Sequence, residues 1–545
     1  MGHRRLHQLV PGQARQQLRA VARLQLQVPA PGPPVRHRGL RHHGAGPVTD
    51  SPRHVRVAII GAGFAGLGVA IRLRRLGITD MVVFERAGDV GGTWRDNTYP
   101  GAGCDVPSQL YSYSFAPNPN WTHSFSTQPE IQQYVQDVVD RHGIRESILL
   151  DCEVTGARWN AETARWDIHT TRGAFTADIT VSAAGPLSAP KLPDIKGISE
   201  FRGPLFHSAR WDHEADLTGK RVAVVGTGAS AIQIVPAIAD RVGQLSLYQR
   251  SAPWVLPRLG HRYTRAERLW YRHVPGAQRV ARTAVYWVRE SFVLWQSKYP
   301  PLADFFSAGA RLKMWQVLRD PVLRRKVTPD HRLGCKRMLI SNEYYPALAR
   351  DNVEVVTDAV TEITAQSIVA ADGTEREVDA IVFATGFRIT DSPTYDLISG
   401  RDGRTLAEVF DAEGLAVYKG TTIANFPNLF LMIGPNAALS YTSAVFTIES
   451  QINYIAAAIE TMDARGLATV EVRAQAQRDY NRELQTKFAG TVWNGGDCTS
   501  WFVDEKGNQS RLWPDFSFRF HRMLRSFDVA AYDTTMLGDP VAPNS

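Results

Sequence analysis

Apolar residues in this chain fall into two kinds of run. Short, mostly apolar runs, at Val55–Ile60, Met81–Phe84, Arg221–Val225, Leu245–Tyr248 and Val378–Phe383, predict buried strands of a parallel sheet. Longer stretches carry apolar residues at helical spacing. These predict helices over Leu67–Leu76, closed by Gly77, over Pro129–His142, from the second glycine loop through Ala239, and over Ser443–Met462. Arg158–Thr171 and Gly173–Ala183 alternate and predict antiparallel strands, with Asn352–Val356 and Ser367–Ala370 as further strands. Residues 263–330 depart from this rhythm. Trp270, Tyr286, Trp287, Phe292, Trp295, Phe305 and Trp315 recur there at mostly helical spacing among arginines. They predict a helical insertion folded over a site, with most of the aromatics packed helix to helix. Alternating strands and helices on this scale place the chain in the α/β class.

Two glycine loops sit at the ends of predicted strands. The first is Gly61-Ala62-Gly63-Phe64-Ala65-Gly66, followed by a helix and by a strand ending in Glu85. Gly61 allows the tight turn, Gly63 lets a pyrophosphate approach the backbone, and Gly66 lets the helix pack close to the strand. The helix amino terminus attracts phosphates. The second loop, Gly226-Thr227-Gly228-Ala229-Ser230-Ala231, is built alike, and its second strand runs into Gln249-Arg250. Glu85 lies 24 residues after Gly61, and Arg250 lies 24 residues after Gly226. A carboxylate there accepts hydrogen bonds from an unphosphorylated ribose, whereas a guanidinium pairs with a 2′-phosphate. The first unit is therefore expected to hold FAD and the second NADPH. The fold expected is α/β, with two Rossmann-like dinucleotide-binding domains and a helical insertion in the NADPH domain. Its parts are residues 53–190 and 391–535 for FAD, 191–256 and 333–390 for NADPH, and 257–332 for the insertion.

Charge modifies the picture little. The 545 residues carry a net charge of +8, but residues 1–50 hold eight arginines and one acid. The remainder is near +1, so no basic surface for nucleic acid is expected. That leader is poor in aliphatic residues and reads as a targeting peptide, a disordered tail or a stretch not translated natively. The last is favoured, with Val48 as an alternative start. Cys104, Cys152, Cys335 and Cys498 are far apart, which argues against a disulfide scaffold or a zinc site and fits the cytoplasm. No transmembrane segment is expected: the charge-free run Gly420–Ile448 contains Pro427, Gly434 and Pro435. Acids interspersed with the arginines of the insertion speak against a membrane-surface role. Oligomeric state is not readable.

Two further stretches narrow the reading. Gly91-Gly92-Thr93-Trp94 leads through Tyr99-Pro100-Gly101 to Cys104-Asp105, a loop without helical or strand period. Phe201-Arg202-Gly203-Pro204-Leu205-Phe206-His207-Ser208-Ala209-Arg210-Trp211-Asp212 joins the two halves. With Phe201, Gly203, His207 and Trp211 at their offsets, this stretch resembles the FxGxxxHxxxW(P/D) fingerprint of the Baeyer–Villiger monooxygenases, which are class B flavoprotein monooxygenases. The loop GGTWRDNTYPGAGCD and the segment Ala384-Thr385-Gly386 also resemble that family's patterns. The resemblance runs from about residue 53 to about residue 530. Leu439–Tyr441 departs from it, since many relatives carry a Gly and a His there.

The resemblance implies that NADPH reduces FAD and that the reduced flavin reacts with O2 to give a C4a-peroxyflavin. Attack on a ketone then yields an ester or lactone. It implies Arg337 as the fixed active-site cation and Asp105 as the carboxylate that orients it. Lys336 would join Arg250 at the 2′-phosphate, Gly92 and Trp94 would lie on the FAD side, and Trp501 would touch NADPH or substrate. His207 is expected to be a hydrogen-bonded linker residue rather than a base. Two other readings remain: a flavin monooxygenase acting on sulfur or nitrogen, and an FAD-binding NADPH oxidase that does not oxygenate.

Overall fold

The computed structural model describes residues 51–494, Phe502 and 509–538. Two sheets organise them. The first has eight strands among the described residues. Its order is Ile398–Ser399, Val154–Asn160, Arg165–Thr170, Gly173–Ser182, Arg53–Ile60, Met81–Phe84, Ile148–Leu149, with Leu429–Leu431 also paired to Gly173–Ser182. Its centre is parallel, with Ile60 opposite Phe84 on one side and Ser182 on the other. The mostly apolar run Val55–Ile60 thus has a parallel neighbour on each side, and Val55, Val57, Ala58 and Ile59 are buried.

The second sheet is parallel throughout, in the order Val353–Val356, Gln244–Tyr248, Arg221–Val225, Ala380–Phe383, Leu205–His207. Each glycine loop leaves the carboxyl end of a central strand, where an open α/β sheet binds its ligands. The helix Phe64–Arg75 follows the first loop and Ala231–Ile238 the second. The Phe201–Asp212 stretch supplies the edge strand of the second sheet. A Cβ at Gly203 would lie 2.3 Å from the Asp379 carbonyl oxygen and 2.8 Å from the Phe201 ring. The Phe-x-Gly spacing is therefore a packing requirement: the ring covers a backbone that carries no side chain.

Three expectations are corrected. The segment Arg158–Thr171 holds the parts of two strands, Val154–Asn160 and Arg165–Thr170, because a tight turn with Ala164 at φ +52° interrupts it. Cys335 is disulfide-bonded, while Cys104 and Cys152 are free and buried. The insertion is helical, over Arg265–His273, Ala277–Glu290, Leu302–Val317 and Pro321–Val327. Yet Trp270, Trp287, Phe305 and Trp315 are exposed rather than packed, and Trp295 is the buried member of that set. Helical spacing alone does not say which face of a helix meets the core.

Candidate active site

The first loop forms a cradle without side chains. Gly61 has φ +106°, and a Cβ there would meet the Ala183 carbonyl oxygen at 2.7 Å. At Gly66 it would meet the Gly61 carbonyl oxygen at 1.9 Å. Gly92, with φ +53°, sits across from Gly63, a Cβ on it lying 3.2 Å from the Gly63 Cα. Two bare backbones facing each other at a helix amino terminus suit a pyrophosphate. Glu85 is buried at the tip of the neighbouring strand. Its carboxylate accepts hydrogen bonds from the backbone N–H groups of Ala62 and Ala87, each at 3.0 Å. Arg95 pairs with it at 2.9 Å. Trp94 is buried and donates from Nε1 to the Tyr111 hydroxyl at 3.0 Å.

The loop from Gly91 to Asp105 spans the gap to the second unit. Gln233, on the helix Ala231–Ile238, accepts from the Tyr99 hydroxyl at 3.0 Å and donates to the Gly103 carbonyl at 2.9 Å. Gly101, with φ +82°, lets the loop press on this helix, where a Cβ would come within 2.6 Å of the Gln233 carbonyl oxygen. The loop thus carries Asp105 from the first unit to Arg337 of the second. Arg337 grips Asp105 side-on, with Nε 3.0 Å from one carboxylate oxygen and Nη2 2.8 Å and 2.6 Å from the pair. Both groups face open space, Arg337 being 41% and Asp105 24% exposed at the side chain. Burial works to raise the Asp105 carboxyl, but the Arg337 charge and hydrogen bonds, with the Arg289 charge, hold it below the usual range. Asp105 in turn pushes the Arg337 guanidinium further up. The pair stays ionised, and Arg337 presents a fixed cation that does not give up its proton.

A second guanidinium stands beside this pair. Arg289, from the insertion helix Ala277–Glu290, donates to the Asp105 carbonyl oxygen at 3.3 Å and lies 5.6 Å from the Phe292 ring centroid. Its Nε is buried without a partner. Arg337 and Asp105 cancel, so Arg289 leaves the site with a net positive charge. Burial lowers its own pKa, which the charge of Asp105 partly restores.

At the second loop, Gly226 has φ +112°, while a Cβ on Gly228 would meet no atom within 4 Å. Lys336 donates to the Ser251 hydroxyl at 3.0 Å, and the Thr227 hydroxyl donates to the Ser251 carbonyl at 3.0 Å. Burial lowers the Lys336 ammonium, as does the positive charge of the nearby Arg250. Arg250 itself is exposed. Two cations held near one another beside a glycine loop suit a phosphate dianion.

His207 lies at the same end of the sheet, 4% exposed, opposite Phe383 in the strand ladder. Its Nδ1 accepts from the Ala209 N–H at 3.1 Å, and its ring meets Phe387 edge to face. Burial pushes its pKa down to about 4. Trp211 packs edge to face on Phe206 at 5.0 Å. Trp501 lies outside the described residues. Arg95, Gln233 and Arg289 are the site residues sequence reasoning did not find. Arg95 was within reach, being the residue directly after Gly91-Gly92-Thr93-Trp94.

A dinucleotide cradle on each of two sheets, with a carboxylate–guanidinium pair between them, defines a flavin-dependent oxidoreductase of the two-dinucleotide type. Residues 54–274 match the family model described as flavin-binding monooxygenase-like. The chain is 50% identical, over 88% of its length and 92% of the relative's, to a Baeyer–Villiger monooxygenase of Streptomyces coelicolor. Among solved structures, it superposes on an oxidised steroid monooxygenase bound to NADP with a TM-score of 0.78 and 34% identity, over 89% of this chain and 100% of that one. A complex of OTEMO with FAD and NADP matches with a TM-score of 0.79 and 27% identity, over the same shares of the two chains. The chain belongs to the Baeyer–Villiger monooxygenases.

Proposed function

We propose that this enzyme binds FAD and NADPH and inserts one atom of O2 beside the carbonyl of a ketone, giving an ester or lactone. The observation that carries the reading is the side-on Asp105–Arg337 pair, facing open space where the two glycine-loop units meet. Gly61, Gly63 and Gly66, with Glu85, Gly92 and Trp94, are assigned to FAD. Gly226, Gly228, Arg250 and Lys336 are assigned to NADPH, and Trp501 to contact with NADPH or substrate. Bound FAD, reduced by NADPH, supplies the activation of oxygen.

The protein's own task is placement and charge. Arg337 opposes the negative charge that gathers on the ketone oxygen when its carbonyl carbon is attacked. It cannot serve as an acid there, because its guanidinium keeps its proton. Asp105 fixes the plane of that guanidinium. His207, neutral above about pH 4 and engaged at Nδ1 by Ala209 of its own stretch, meets the segment after Gly386 through its edge-to-face contact with Phe387 and is assigned to this link rather than to moving protons. No described helix is long and apolar enough to cross a membrane.

The test is a panel of cyclic, linear, aryl and steroid ketones, with a thioether alongside, offered with NADPH and 18O2. One labelled oxygen is expected in an ester product. Arg337→Ala is expected to keep FAD bound and NADPH oxidation measurable while ester formation falls by about 10³-fold, the scale of a lost oxyanion contact. Intact ester formation in that variant would remove Arg337 from its role, and sulfoxide as the sole product would replace the reaction.

A further inference from the structure

The near-neutral charge of the chain beyond residue 50 conceals a strong asymmetry. Residues 257–332 hold sixteen Arg or Lys and five Asp or Glu, a net charge of +11. The expectation of no basic surface on the folded part, and the objection that acids break up this segment, both give way to that count. One of the five acids, Asp304, is paired with Arg332 at 2.7 Å. Another, Asp320, caps the helix Pro321–Val327 by accepting from the N–H groups of Val322 and Leu323.

The same segment wears its apolar residues outside. In the helix Leu302–Val317 the buried positions are Ala303, Ser307, Ala310 and Met314, a narrow stripe of small residues and one methionine. On the opposite side, Phe305, Leu312 and Trp315 are 74%, 57% and 50% exposed. Their spacing of seven and three puts them on one face. Met314, Leu318 and Val327 pack into the core of the second sheet, with Val317 and Leu323 against it. The end of this helix and the next are therefore anchored by their inner faces, and their outer faces point away from the protein. Lys313, next to Leu312 on this helix, is exposed, as are Arg319 just past its end and Arg325 on the following helix. None of these three makes an ion pair among the described residues.

We propose that this face, Phe305, Leu312 and Trp315 rimmed by Lys313, Arg319 and Arg325, docks on the surface of an anionic lipid bilayer. Charge alone suits any polyanion. The row of large apolar side chains selects lipid, because it gains nothing from a nucleic acid backbone but enters the boundary between headgroups and acyl chains. Each cation near an anionic bilayer adds to the attraction, and salt screens that part. The protein lies on the membrane rather than in it, since no described helix is long and apolar enough to span.

The test is co-sedimentation of the full-length, FAD-loaded enzyme with two kinds of vesicle, phosphatidylcholine alone and phosphatidylcholine with about one third phosphatidylglycerol. Binding is expected to the anionic vesicles, at least tenfold above the neutral ones, and to fall in 0.5 M salt, by analogy with other basic surface anchors. Phe305→Ser/Leu312→Ser/Trp315→Ser is expected to lower the partition coefficient by about tenfold or more while leaving NADPH oxidation with a ketone unchanged. The basic residues 1–50 are present in both forms, so this difference isolates the helix face. Should the triple variant fail to fold, Lys313→Glu/Arg319→Glu/Arg325→Glu carries the test and is expected to abolish the preference for anionic vesicles. Binding that is absent, or equal in wild type and variants, would overturn the proposal. So would a wild-type dimer in sedimentation equilibrium that the triple variant converts to monomer, since a second copy would then cover the face.

Discussion

In the first glycine-loop unit the residue 24 positions past the leading glycine is Glu85, 5% exposed and held by two backbone N–H groups and Arg95. In the second it is Arg250, exposed and without a hydrogen bond or ion pair among the described residues. The third loop position contrasts as well. Gly66 has no room for a Cβ, whereas Ala231 carries one and is buried. Two copies of one strand–loop–helix plan have thus been finished differently. The first is locked, its carboxylate serving the loop itself as well as any ribose. The second is open, its cation free to pair with a phosphate without breaking an existing bond. Damage to the first glycine loop should cost folding and FAD together, and loss of the Arg250 cation beside the second should cost NADPH alone.

The strongest break in that comparison is Gly66→Ala. The added methyl would lie 1.9 Å from a backbone oxygen, so something in the loop must move. A loss of about 4 kcal/mol or more is expected, read from denaturant unfolding and from the yield of yellow protein. The converse, Ala231→Gly in the second unit, should cost only about 1 kcal/mol.

Acid separates the units next. The His207 imidazole belongs to the second sheet, and its folded pKa of about 4 lies below the ordinary value of 6.5. Its neutral form is the one the fold accepts, so stability is complete above about pH 6.5 and is lost as the pH falls toward 4. The loss approaches about 3 kcal/mol by linkage. Comparing denaturant midpoints at pH 7.5 and pH 4.5 for wild type and His207→Gln should show a flatter dependence in the variant. A single ionisation lost from the pH–rate profile, with NADPH coupling to oxygenation unchanged, would instead make His207 a base.

Glu85→Gln should cost about 2 kcal/mol, because the hydrogen bonds from Ala62 and Ala87 weaken and Arg95 keeps only Asp96, at 2.8 Å, of its two charge partners. FAD retention during gel filtration is expected to fall with it, and NADP⁺ affinity of the remaining holoenzyme to stay as it was.

How far these features were legible beforehand follows from how locally each is encoded. The glycine loops, their strands and the Glu85/Arg250 contrast are written within about thirty consecutive residues, so sequence alone placed them. Arg337 and Asp105 are 232 residues apart. Nothing in the local pattern of either points to the other, and only the family resemblance paired them. Gln233 reaches Gly103 across 130 residues, and Arg289 reaches Asp105 across 184, with no motif to mark either. The insertion was misjudged for another reason. Its period is helical on every side, and the inward stripe of Leu302–Val317 is made of the small residues Ala303, Ser307 and Ala310. Burial of the large aromatics, the ordinary assumption, pointed to the wrong face.

The most direct test of the contrast between the units is calorimetric titration of NADP⁺ and NAD⁺ into the FAD-loaded enzyme and its Arg250→Gln variant. Wild type is expected to prefer NADP⁺ by about tenfold or more, and the variant to lose that preference by weakening NADP⁺ alone, with NAD⁺ affinity and FAD content unchanged, the scale of one charge-assisted phosphate contact. An unaltered preference for NADP⁺, or a parallel loss of NADP⁺, NAD⁺ and FAD, would contradict the account.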